Sequence, residues 1–88
     1  MLDKRNFYIN GKWTKPSKPN DFGVINPSNE ETFATISLGA KEDTDTAVKA
    51  AKNAFNSWKE TSKAERIDYL EKLLKNYKKR FNEMAEAM

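Results

Sequence analysis

Residues 43–58 read DTDTAVKAAKNAFNSW, and the rest of the chain is organised around this stretch. Thr44, Ala47, Val48, Ala51, Ala54, Phe55 and Trp58 recur at the 3.6-residue spacing of a helix, with Lys49, Asn53, Asn56 and Lys59 on the other side. Glu42, Asp43 and Asp45 crowd the first turn, where negative charge complements the positive end of the helix. Asp45 and Lys49 form an i,i+4 pair in the acid-before-base order. The pattern predicts a helix over about 42–59 with a single apolar seam. Its alanines permit close approach of a neighbour, and Phe55 and Trp58 fill the wider end.

The residues before this helix read as β structure. Residues 1–6 are polar and expected to be loose. FYINGKWT, residues 7–14, carries Asn10-Gly11, the pair a type I′ hairpin turn favours because both central residues need positive φ. A two-residue turn there sets Ile9 opposite Lys12, Tyr8 opposite Trp13 and Phe7 opposite Thr14. A Tyr8–Trp13 cross-strand contact of that kind contributes about 0.2–1 kcal/mol. The aromatic pair reads either as a stacking platform for bases or sugars or as a hairpin face packed on something larger. The second reading is preferred, because an isolated two-stranded hairpin is marginal in water. KPSKPND, residues 15–21, has two prolines that deny backbone donors and reads as a connection. Two further extended runs follow, about 23–26 and 32–38, with Pro27 setting up the turn between them. In the second run Ala34, Ile36 and Leu38 share one face and Phe33, Thr35 and Ser37 the other. Phe33 on the more polar face suggests cover from both sides.

After Trp58 a second helix is expected over about 63–88, begun by the capping box Ser62-Lys63-Ala64-Glu65. Ile67, Leu70, Leu73, Leu74, Tyr77, Phe81, Met84, Ala85 and Met88 lie on its apolar face. Asp68–Lys72 and Glu71–Lys75 are acid-before-base pairs on the far face. The cluster Lys78-Lys79-Arg80 offers a phosphate contact, against the plainer reading of a solvated helix face with a small kink. Acids interleaved on the same face favour the plainer reading. The apolar pattern runs undiminished to Met88 without a Gly or Asn cap, which leads to the expectation that the natural reading frame continues.

Composition removes several function classes. At 88 residues the chain holds at most one domain, and such a domain buries roughly 60–65% of its unfolded surface. It has no cysteine and no histidine, hence no thiolate or imidazole nucleophile, base or metal ligand. Its three glycines, Gly11, Gly23 and Gly39, are too far apart for a phosphate loop. Asp43 and Asp45 do not face each other on a helix, and Glu30 and Glu31 sit in a turn where solvation explains them. No catalytic, cofactor-binding or metal residue is assigned on these grounds. The net charge of +3 is a weak argument for nucleic acid. No apolar run approaches a membrane span and the start lacks a signal-peptide core, so a cytoplasmic location is the default.

Four landmarks carry a resemblance: FYINGKW (7–13), VINPSNEE (24–31), KEDTDTAVKAAKNAFNSW (41–58) and AERIDYLEKL (64–73). In this order and at these spacings they resemble the N-terminal segment of the NAD(P)-dependent aldehyde dehydrogenase superfamily, over roughly residues 6–88. The resemblance implies an α+β fragment, two short hairpin-like segments followed by two amphipathic helices, from the start of a larger α/β fold. It implies a parent with a Rossmann-like cofactor domain, a catalytic domain and an oligomerisation element. That parent would oxidise an aldehyde with NAD or NADP through a cysteine thiohemiacetal. A glutamate would activate water for deacylation. The catalytic and cofactor residues of the family lie later than Met88, so none is carried onto this chain, and the 88-residue chain alone is expected to be inactive. In some members a monovalent cation is held partly by main-chain carbonyls corresponding to Val24 and Ile25. Val24 offers no side-chain ligand, and no metal site is assigned. The implied partners are the remainder of the enzyme chain and further copies in a homo-oligomer, with neither nucleic acid nor membrane. The competing readings are a stand-alone basic binding module built on Lys78-Lys79-Arg80 and a helical adaptor docking through the Trp58 and Leu74 faces.

Overall fold

The structure, a computed structural model, describes all residues from Met1 to Met88. Five short strands precede three helices: β1 (Leu2–Lys4), β2 (Phe7–Ile9), β3 (Lys12–Thr14), β4 (Asp21–Asn26), β5 (Glu31–Ser37), α1 (Lys41–Trp58), α2 (Lys63–Lys79) and α3 (Phe81–Ala87). The chain divides into two compact units, Met1–Phe55 and Asn56–Met88.

In the first unit β2 and β3 form an antiparallel hairpin in the register that Asn10-Gly11 demands, with Tyr8 opposite Trp13. Asn10 and Gly11 take φ of 55° and 76°, the positive pair a type I′ turn requires. The Tyr8 and Trp13 rings lie 5.2 Å apart, tilted by 59°. A separate three-stranded sheet has the order β1-β5-β4. Its antiparallel half, β4 with β5, is closed by a turn built on Asn26. The Asn26 carbonyl accepts from the Glu30 N–H at 2.7 Å, and its side-chain oxygen accepts from the N–H and hydroxyl of Ser28. Glu30 completes the turn with a φ of 61°.

Residues 1–6 are not loose. Leu2, Asp3 and Lys4 pair in parallel with Ala34, Thr35 and Ile36. The free edge of β5 offers unpaired ladder groups, and a three-residue strand is enough to take them. Arg5 then clamps the junction, donating to Asp3 at 2.8 and 2.9 Å and to Asp21, at the start of β4, at 3.4 Å. The strand of the connecting turn begins at Asp21, earlier than position 23, and Leu38 falls outside β5. Its N–H goes instead to the Asn20 carbonyl at 2.8 Å.

Ala34 and Ser37 are the two buried residues, at 5% and 6% exposure. Ser37 is tolerated there because its hydroxyl oxygen accepts from the Asn20 N–H at 3.1 Å and its O–H donates to the Leu38 carbonyl. Phe33 is 46% exposed, so the cover expected on its face is absent from this chain. The β4–β5 register shifts between Val24, opposite Ala34, and Ile25, opposite Thr32, which leaves Phe33 out of the pairing as a bulge.

Ala40 stands just before helix α1, and its carbonyl accepts from the Asp43 and Thr44 N–H groups. Alanine has no capping side chain, and Asp43 supplies the missing acceptor. One carboxylate oxygen takes the Ala40 N–H at 3.0 Å, and the other takes the Ser17 N–H of the proline-bearing connection, also at 3.0 Å. These two bonds hold the Asp43 carboxyl below its usual range, the Ala40 bond contributing most. Asp45 pairs backwards with Lys41 at 2.7 Å and not forwards with Lys49.

In the second unit α1 ends with the Trp58 carbonyl accepting from the N–H and hydroxyl of Thr61. Ser62 caps α2, its hydroxyl accepting the Glu65 N–H at 3.1 Å. The single helix expected over 63–88 is two helices. Arg80 leaves helical geometry at φ −109°, ψ 21°, and its N–H is shared between the Asn76 and Tyr77 carbonyls. The Arg80 guanidinium pairs with Glu83 in the first turn of α3.

Candidate functional site

The candidate features separate into structural clasps and open apolar faces. Asp3, Arg5 and Asp21 line a surface hollow of ≈390 Å³ together with Lys15. Its charges are already matched. Asp3 falls to about 2 because Arg5 donates to it, and Arg5 is raised in return by Asp3 first and Asp21 second. Sequence reasoning missed this clasp. The Asp3-x-Arg5 spacing was its local signal, but the Asp21 arm is distant in sequence.

The basic cluster is spent on helix architecture. Lys78 and Lys79 occupy the last turn of α2, where cations complement the negative end, and Arg80 is engaged by Glu83. Of the two predicted ion pairs on this helix, Asp68–Lys72 closes at 2.9 Å and raises the Lys72 ammonium. Val24 and Ile25 stand at the bulge of the β4–β5 pair. They could offer a cation only main-chain oxygen, and no three His, Cys, Asp or Glu side chains gather anywhere in the chain. These residues do not by themselves make up a cation site. Nor do Gly11, Gly23 and Gly39 form a cradle for a dinucleotide, since they lie in a hairpin tip, a strand and a strand exit. The Tyr8–Trp13 pair stays mostly exposed on the hairpin, and the hairpin tip faces Ala47, Ala51 and Ala54 across a hollow of ≈350 Å³.

What remains is apolar surface. In the first unit Val48 and Phe55 of the α1 seam are exposed, Phe55 at 59%, and only Ala47 and Ala50 along that helix are half-buried with Asp43. In the second unit no residue of α2 or α3 is buried. Ile67, Leu70, Leu73, Leu74, Tyr77 and Phe81 are all open, Leu74 at 53%. Trp58 finds local company, its ring 5.6 Å from Tyr69 and 5.9 Å from the Arg66 guanidinium, yet it too is exposed. Helical faces with this many exposed large apolar side chains mark interaction surfaces. No helix is long and apolar enough to cross a membrane, so a bilayer-spanning helix is not what these faces form.

The family model for the aldehyde dehydrogenase family matches residues 13–88. The chain belongs to the aldehyde dehydrogenase family. It is similar to a 3-succinoylsemialdehyde-pyridine dehydrogenase from a Pseudomonas species, 41% identical over 88 residues, which is all of this chain and 18% of that protein. A Staphylococcus saprophyticus relative named as an aldehyde dehydrogenase is 40% identical over 87 residues, 96% of this chain and 18% of its own length. The crystal structure of an aldehyde dehydrogenase from Bartonella henselae superposes with a TM-score of 0.94 at 55% identity, covering 98% of this chain and 18% of that one. The chain thus spans about a fifth of the family members it matches. The α+β arrangement of strands and helices is that of the family's N-terminal part.

Proposed function

We propose that this chain serves as the N-terminal structural part of an aldehyde dehydrogenase, supplying surfaces that the rest of such an enzyme packs on. The observation that carries this reading is the near-absence of a closed core. Ala34 and Ser37 alone are buried while both helical seams lie open, in a chain that spans 18% of its relatives. The enzyme would oxidise an aldehyde, and a bound NAD or NADP would accept the hydride. None of the present residues carries that chemistry, because the chain has no thiol, no imidazole and no phosphate cradle. Its own contribution is positional. The Asp43 clasp fixes the proline-bearing connection to α1, the hairpin lies along the alanines of α1, and Phe55, Leu74 and Tyr77 are presented for burial. The partner of these faces is the remainder of the enzyme chain, within a cytoplasmic homo-oligomer.

Fragment complementation tests this. The Bartonella henselae enzyme, shortened by the segment this chain matches, should lose aldehyde oxidation and recover it when the 88-residue chain is added in trans. The 88-residue chain alone should show no turnover above buffer with either nicotinamide cofactor. Turnover by the chain alone, or full activity of the shortened enzyme without it, would overturn the reading.

A further inference from the structure

We propose that Asn10 is a site of spontaneous modification, losing its side-chain amide to attack by the Gly11 backbone nitrogen, and that the isoaspartate so formed takes the β2–β3 hairpin apart. Among the nine asparagines, Asn10 alone precedes a glycine. A Cβ added at Gly11 would meet nothing within 4 Å beyond its chain neighbours, so no other part of the chain crowds this bond. Asn10 and Gly11 are exposed and stand outside the ladder, which runs from Phe7–Thr14 to Ile9–Lys12. The Gly11 nitrogen is therefore not tied into the sheet. Three pairs in a sheet separate from β1-β5-β4 make an element that opens readily. The other asparagines are better protected. Asn26 precedes Pro27, which has no N–H to lose, and its side-chain oxygen is held by Ser28. The Asn29 oxygen is held by the Glu31 N–H, and Asn53, Asn56 and Asn76 lie within helices.

Water is the one co-reactant. The Gly11 nitrogen bonds to the Asn10 side-chain carbonyl carbon, the bond from that carbon to the amide nitrogen breaks, and ammonia leaves with the Gly11 proton. Water then opens the five-membered imide at either carbonyl, giving aspartate or isoaspartate. Aspartate suits the same turn, since Asp-Gly also favours type I′. Isoaspartate routes the main chain through Cβ and lengthens a loop whose two residues fix the register. A register slip moves side chains to the opposite face, so Tyr8 and Trp13 separate.

The test is incubation of the 88-residue chain in mildly alkaline buffer, followed by peptide mapping with mass spectrometry and isoaspartate-selective enzymatic methylation. Amide loss at Asn10 should outpace loss at Asn6 and Asn20 on the order of tenfold, because the residue that follows Asn10 is a glycine with no Cβ. The NMR cross-peak between the Tyr8 and Trp13 rings should survive in the Asn10→Asp variant and vanish in the isoaspartate species. Equal rates at Asn6 or Asn20 would overturn the site. An isoaspartate species that keeps the cross-peak, or a fresh chain that lacks it, would overturn the structural consequence.

Discussion

Replacing Ser37 by alanine tests the one buried polar side chain directly. The Ser37 hydroxyl oxygen accepts the Asn20 N–H at 3.1 Å, and the Asn20 carbonyl receives the Leu38 N–H at 2.8 Å. Asn20 is thus latched at both ends to the exit of β5. Removing the hydroxyl orphans the Asn20 N–H, and leaving a buried donor unmade costs about 1–3 kcal/mol. Here the low end applies, because Asn20 itself is exposed and water can reach the freed donor. A loss of about 1–1.5 kcal/mol corresponds to roughly five- to tenfold easier opening, since 1.4 kcal/mol is a factor of ten. Amide hydrogen exchange reads this residue by residue. The Asn20 amide should exchange five- to tenfold faster in Ser37→Ala, while the Leu38 amide, whose acceptor is untouched, should change less. Unaltered exchange at Asn20 would refute the latch. A uniform increase across β4 and β5 would show instead that Ser37 acts only through the packing of the whole sheet.

Two further outcomes follow from the clasps and caps. Ser62→Ala removes the acceptor of the Glu65 N–H and should destabilise α2 by about 1 kcal/mol, seen as lost amide protection over its first turn, with Ser62→Asp restoring it. Asp3, depressed from 3.8 to about 2 chiefly by the Arg5 guanidinium, contributes stability that is fully present above 3.8 and fades as pH falls toward 2. A carboxyl-carbon NMR titration should place Asp3 near 2 and return it toward 3.8 in Arg5→Ala; no movement would show that the pair is not formed.

The elements legible from sequence are those whose determinants are local. Asn10-Gly11 dictates both the turn and the register, and Ser62 with Glu65 marks the start of α2 within four residues. β1 was illegible because its only reason to be a strand is the edge of β5, roughly thirty residues away, and the three residues Leu2-Asp3-Lys4 are too few to carry a periodicity. The helix break at Arg80 was legible only as a small kink at Lys78-Lys79-Arg80, because the apolar pattern continues through it and no Gly or Pro announces a full break. At Asp43 the acidic first turn was readable as a complement to the helix dipole, but its bond to Ser17 joins segments that sequence spacing cannot bring together. As for the candidate site, the seams of α1 and α2 were legible as apolar faces, and the structure leaves both open.

The parallel pairing of β1 with β5 also imposes an order of assembly during synthesis. Leu2 leaves the ribosome well ahead of its pairing partner Ala34. At about 5–20 residues per second, the roughly thirty intervening residues take on the order of 2–6 seconds to be made. The β2–β3 hairpin can close within about 1–10 microseconds of emerging, so it is complete long before β1 has an edge to join. The first strand in the sequence is therefore held in waiting and is added to an edge made later, with Arg5 free to reach Asp21 only once β4 has emerged.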